Sequence, residues 1–431
     1  MQGSDRVKGE SYKYYLLVVL TLVGVVSTFE RFVFALALEP IKVDLQLSDT
    51  QLGFMTGIAF ALFYGVAGIP IARWADRGNR VNITGLAVAL LGVMVTLCGL
   101  VGNFFQLLLV RAGVAVGEAG FVPSAQSLLA DYFDRRERPR AMSFYLMFYT
   151  ISMIIGYWLG GWLIDSIGWR WTFLVLGIPS FLVALLVKVS LKEPRLDKPI
   201  SDSTASDPFI ETLLVLWRQP SFKHIFIAFC VSYFFSLGVS QWNAVFFIRS
   251  HKMEISEIGA WFALMWGVLG TLGNFVGGYY ASRYAGGKEK LQMRLVAVVF
   301  AVTVVTNLMV YLSSTTGLAL FFVGATAFLT SLVGGPIFAT IQTSVGEGMR
   351  SVAIALIYMF ANIIGFGLGP LMLGFVSDLL NPALGQESLR YALVLFCPGT
   401  LWVATHYWIA SNNIEVDINN AQVQMSEPDT P

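Results

Sequence analysis

Polar and apolar positions along this chain fall into long blocks. Twelve apolar runs, at about 14–38, 50–72, 82–101, 104–129, 141–165, 170–189, 223–248, 257–281, 293–312, 316–343, 353–378 and 389–410, alternate with polar breaks. Each has at least twenty residues, the length an α-helix needs to cross a bilayer core of about 30 Å. The pattern predicts twelve transmembrane helices, spans one to twelve. The longest break, 190–222, is rich in Pro, Ser, Asp and Lys and predicts a linker between two six-helix halves, 14–189 and 223–410. A polar segment, 1–13, precedes them. A polar tail, 411–431, follows and reads as disordered.

The halves resemble each other. ERPRAMSFYLMFY (137–149) precedes span five as EGMRSVAIALIYM (347–359) precedes span eleven, and GWLID (161–165) ends span five as GFVSD (374–378) ends span eleven. Two related halves predict a site between them, near the membrane midplane. Lys and Arg set the orientation. With the N-terminus in the cytoplasm, 21 fall on the cytoplasmic side and 5 on the other, leaving Arg31 and Arg111 inside spans. Both termini are therefore expected in the cytoplasm.

Composition narrows the class. Of 431 residues, 56% are hydrophobic and 13% charged, against about 25% charged in soluble domains. A net charge of +1 argues against a nucleic-acid partner. The opening MQGSDRVKGESYK is polar and the first apolar run is too long for a leader, so no cleaved signal peptide is expected. Cys98, Cys230 and Cys397 lie in different spans and read as small buried hydrophobes. His224, His251 and His406 sit near span ends and form no ligand cluster. No metal or cofactor is expected, and no nucleophile–base set suggests an enzyme.

Charges inside apolar spans are costly unless they face protein or water, which makes them functional candidates. Span four carries Arg111 and Glu118 in VRAGVAVGEAG, two helical turns apart on one face, with Gly113, Gly117 and Gly120 allowing a neighbouring helix to approach closely. Span one carries Glu30 and Arg31 in TFERFVFALAL. Adjacent residues point about 100° apart, so each needs a partner elsewhere, and span four supplies one acid and one base at comparable depth. The competing interpretation is a static cluster that only orients helices. In ARWADRGNR (72–80), Asp76, Arg77 and Arg80 stand at a helix junction, where an acid can meet a helix N-terminus and the arginines nearby carboxylates, a latch for one access state. The second half has Ser282 in place of that acid. It offers Gln241, Trp242, Asn243, Trp261, Trp266, Thr330, Ser331, Tyr358 and Asn362 as polar and aromatic cavity candidates.

With EPIKVDLQLSDTQLGFMTGIAFALFYGVAGIPIARWADRGNR, RAGVAVGEAGFVPSAQSLLADYFDRRERPRAMS and NIIGFGLGPLMLGFVSDLL, the chain resembles the major facilitator superfamily, and within it the spinster-like branch. The resemblance implies an all-α membrane protein of two pseudo-symmetric six-helix halves. It also implies that Glu30 and Glu118 carry protons and that Arg31 and Arg111 meet an anionic or zwitterionic head group. Three positions depart from the family pattern: Glu30 where Asp is more usual, Ala72 for Gly, and Gly156-Tyr157 for Gly-Pro, which argues against inferring antiport from that motif. The reading is a proton-coupled secondary transporter, monomeric, in a bacterial inner membrane. It would move an amphipathic organic anion or lysolipid-like substrate, with Gln241, Asn243, Tyr358 and Asn362 completing the site. The alternatives are a proton symporter for sugar acids or aromatic carboxylates and a non-transporting receptor.

Overall fold

The computed structural model describes residues 2–134, 136–194, 216–345 and 350–426. All regular structure among them is helical. Ten helices among the described residues are long and apolar enough to cross a membrane. The two longest, Arg140–Ser190 with 51 residues and Leu356–Ile418 with 63, far exceed the roughly 20 that one crossing needs. Each contains a break. Gly168 adopts φ +79°, ψ +159° between spans five and six, a conformation natural only to glycine. Gly385, at φ +56°, opens a short 3-10 turn between spans eleven and twelve. With these breaks the ten segments are consistent with twelve passes.

The helices gather into two compact units: Met1–Met55, Ala59–Asp202 and Met253–Ala263 in the first, Thr56–Ile58, Ser203–Lys252 and Leu264–Pro431 in the second. In the first, span one packs along the span-five and span-six helix, and span three packs on spans four and six. Leu20, Phe34, Leu91, Leu107, Phe121 and Phe173 are buried between them. Spans three and four meet at Gly117, where a Cβ would press on the backbone of Ala87 and Leu91 at 3.0 Å. The opening of the span-eight helix also belongs here. Gly259 leaves no room for a Cβ against the Tyr157 carbonyl, and the Ser256 backbone N–H donates to Asp165 at 2.7 Å.

The second unit is built around Phe222, Phe226 and Phe229 of span seven, with Met293, Phe300, Ile337, Leu356, Val403 and Tyr407 from spans nine to twelve. Thr56–Ile58 of span two falls in this unit, and Gly57 packs on the backbone of Gly367. Among the described residues, three stretches widen to π-helix: Met55–Ala59, Ala263–Leu269 and Asn362–Leu368. Glycine-containing and without their own i→i−4 ladder, they are where spans two, eight and eleven change course.

One expectation changes. The tail is not a coil from residue 411, because the span-twelve helix continues to Ser426. Its Asp417 accepts from the Ser221 backbone N–H at 2.8 Å, capping span seven, and Lys290 pairs with Glu415 at 3.2 Å. His224 and His406 lie with their Nδ1 atoms 2.8 Å apart. No group of three or more metal-ligating side chains occurs among the described residues. Cys98, Cys230 and Cys397 are free and buried.

Candidate functional site

Spans one and four lie side by side in the first unit, and their four charges pair crosswise. Arg111 Nη1 donates to Glu30 Oε2 at 2.7 Å. Arg31 Nε and Nη2 both donate to Glu118 Oε2, at 2.8 and 2.5 Å. Neither pair forms within one helix, as the 100° between neighbours requires.

The pairs differ in access. The side chains of Glu30, Arg111 and Glu118 are at most 5% exposed, whereas Arg31 is 24% exposed. Aromatic rings fill the remaining space. The Arg111 guanidinium carbon lies 4.1 Å from the Phe34 ring centre and 5.3 Å from that of Phe60. The same Phe60 ring lies 4.7 Å from the Arg31 guanidinium carbon, and Tyr64 lies 5.9 Å from it. One ring therefore serves two cations, each over a π face. The deep pair is incompletely satisfied: Glu30 Oε1 and Arg111 Nε are buried without a hydrogen-bond partner. The outer pair is bidentate from the arginine side. Such an arrangement places a cation beside each buried acid and leaves one of the cations, Arg31, partly exposed where an anion could approach it.

The remaining candidates lie elsewhere. Arg80 is fully buried. Its guanidinium contacts Glu193, Asp131 at 2.8 Å and Ser127 at 2.9 Å, and its backbone N–H donates to Glu193 at 2.7 Å. These partners clamp the start of span three to the ends of spans four and six. Asp76 and Arg77 belong to the last turn of the helix Phe60–Arg77, and their side chains lie outside the described part of the structure. In the second unit, Tyr358 stacks on Phe338 with ring centres 5.5 Å apart and meets Phe229 edge-on at 5.6 Å. Asn362, one turn on, donates to the Tyr358 carbonyl at 2.8 Å and opens a π stretch. Gln241 stands where the helix Pro220–Ser240 ends. Asn243 is buried, its amide oxygen accepting from the Tyr311 hydroxyl at 2.9 Å, and Trp242 beside it donates to the Pro370 carbonyl at 3.1 Å.

Sequence reasoning missed Glu193, Asp131, Phe34 and Phe60. Glu193 was hidden by its place in the polar linker, although an acid immediately after a span was a usable signal. The two phenylalanines carry none in so aromatic a chain.

A model of the Major Facilitator Superfamily matches residues 20–370. The chain belongs to the major facilitator superfamily. This facilitator is 31% identical over 407 residues to an MFS-type efflux pump of Mycolicibacterium smegmatis, with 93% of each chain covered. It is 23% identical over 409 residues to a probable L-galactonate transporter of Escherichia coli, covering 92% of this chain and 88% of that one. Among solved structures it is similar to a bacterial homologue of the human lysosomal transporter spinster, in an inward-facing and unoccupied conformation. That match has a TM-score of 0.82 and 27% identity, covering 94% of this chain and 98% of the other. The facilitator is an integral, multi-pass membrane protein and a transporter rather than an enzyme.

Proposed function

We propose that this facilitator is a proton-coupled secondary transporter for an amphipathic organic anion, working by alternating access in a bacterial inner membrane with both termini cytoplasmic. The crosswise pairing of Glu30, Arg31, Arg111 and Glu118 carries the reading. Arg31 is the partly exposed cation, so an incoming anion meets it first. Carboxylate and substrate then compete for one guanidinium. When the anion takes Arg31, a proton on Glu118 replaces the lost partner, and proton and substrate occupancy become linked, reciprocally. Glu30 with Arg111 is a second proton site of the same chemistry, held more deeply. In the second unit, Tyr358 and Asn362, next to the aromatic rings of Phe229 and Phe338, are proposed as ligand-contacting residues. Asn243 and Arg80 are less suited to ligand contact, since both are committed to buried partners. The working form is taken as a monomer.

The aromatic rings of Phe60 and Tyr64 beside the partly exposed Arg31 support an amphipathic anion. The likeness to an L-galactonate transporter supports a second reading, a symporter for small carboxylates, which Arg31 would bind equally well. Flux in vesicles with and without an imposed pH gradient tests the coupling. The gradient should accelerate wild-type flux. Glu118→Gln should lose that acceleration and keep gradient-free exchange, and Arg31→Ala should weaken anion binding about ten-fold or more. Driven flux at the wild-type rate in Glu118→Gln would overturn the coupling role. Competition by a lysophospholipid against galactonate separates the two substrate classes.

A further inference from the structure

Arg294 is a partly exposed cation of the second unit with no ion-pair partner among the described residues. It lies in the span-nine helix Glu289–Leu312, five residues past the start. That is about 7.5 Å along the axis at 1.5 Å per residue. Bilayer headgroup regions are about 5–8 Å deep on each side of the core, so a helix that begins at the aqueous edge brings its sixth residue, here Arg294, to the boundary between headgroups and acyl chains. Leu291, Leu295, Val298, Val302, Val305 and Met309 form an exposed stripe along this helix at intervals of three and four. Such an aliphatic face suits lipid, and Arg294 stands at its edge.

No carboxylate pairs with Arg294 among the described residues. Its Nε is buried without a hydrogen-bond partner. Its guanidinium lies 5.3 Å from the ring centre of Trp408, an exposed residue of the span-twelve helix packed alongside. One turn toward the polar end, Lys290 and Glu415 pair at 3.2 Å, both partly exposed. Exposed pairs of this kind are weak, and a stronger anion can recruit Lys290. The position is held firmly, because the neighbouring Gln292 is buried and donates to the Ala285 carbonyl at 2.8 Å.

We propose that the groove between spans nine and twelve, at Arg294 and Trp408, binds the phosphate of an anionic phospholipid. The guanidinium offers parallel N–H donors to two phosphate oxygens. The indole, with its apolar body and polar tip, is suited to that depth. This end of span nine also carries Lys288 and Lys290, on the side that the Lys and Arg count assigns to the cytoplasm, where anionic lipids attract basic segments.

The test is lipid retention by the full-length protein in nanodiscs of phosphatidylcholine with added phosphatidylglycerol, read by native mass spectrometry after delipidation. Wild type should retain phosphatidylglycerol preferentially. Arg294→Gln should reduce that preference about five-fold, Trp408→Leu should also reduce it, and Arg283→Gln, a cation at the end of span eight, should not. Melting in pure phosphatidylcholine discs reports whether each variant is folded; if Arg294→Gln is not, Arg294→Lys, which keeps the charge and loses the fork, takes its place. Equal phosphatidylglycerol retention by wild type and a folded Arg294 variant would overturn the site. Displacement of the lipid by inorganic phosphate alone would reassign the groove to free phosphate and equally overturn it.

Discussion

At the residue scale the deep pair is the most exacting feature. Removing one member of a buried ion pair strands the other, at a cost of about 3–5 kcal/mol, whereas replacing both with apolar groups is often neutral or better. Arg111→Ala should therefore lower thermal stability sharply, and Glu30→Leu with Arg111→Met should recover most of the loss while abolishing proton-driven flux. Thermal melts of the single and double variants in detergent decide this. An Arg111→Ala protein as stable as wild type would mean that Glu30 has another partner. The four charges were legible in the sequence because lipid tolerates so few that Glu30, Arg31, Arg111 and Glu118 stand out. Their crosswise choice of partners followed from helix geometry. What remained hidden was everything apolar around them. Phe60 lies under both guanidinium groups, yet it is one of 33 phenylalanines, and only the packing of spans one, two and four distinguishes it.

At the scale of elements, long-range polar contacts hold helix ends in place. Asp165 at the end of span five accepts from the Ser256 amide at the start of the span-eight helix. A carboxylate at a helix N-terminus contributes about 0.5–2 kcal/mol. Asp165→Ala should therefore speed amide exchange at Ser256, measured by hydrogen–deuterium exchange, with little change at the Arg111 pair. Unchanged exchange at Ser256 would remove Asp165 from this role. The matched GWLID and GFVSD stretches had singled out Asp165 and Asp378 as equivalent positions, but not what either one meets. The spans themselves were readable because a bilayer demands about twenty apolar residues at a time. The π stretches were not, since one extra residue in a turn leaves the apolar pattern intact. The helical part of the tail was unreadable for the opposite reason. Residues 411–426 are polar enough to pass for coil, and they are tied down by Asp417 and Glu415, whose partners lie far away in sequence.

At the scale of the whole molecule, the span-twelve helix does more than end the chain. Its Asp417 caps the first turn of span seven, where Pro220 opens the helix and Ser221 carries an otherwise unsatisfied amide. Truncation after Val416 should destabilise the second unit by about 1–2 kcal/mol, seen as an earlier melt, whereas truncation after Ser426 should leave the melt unchanged. The same contact has a consequence during biosynthesis. Asp417 is translated 196 residues after Ser221. At about 5–20 residues per second, span seven waits roughly 10–40 s for its cap. Through that interval its first turn is held by its own proline and by whatever chaperone attends the nascent chain. A ribosome that stalls within the last spans therefore leaves a recognisable defect at the beginning of the second unit, exposed to membrane quality control before the last helix has been made.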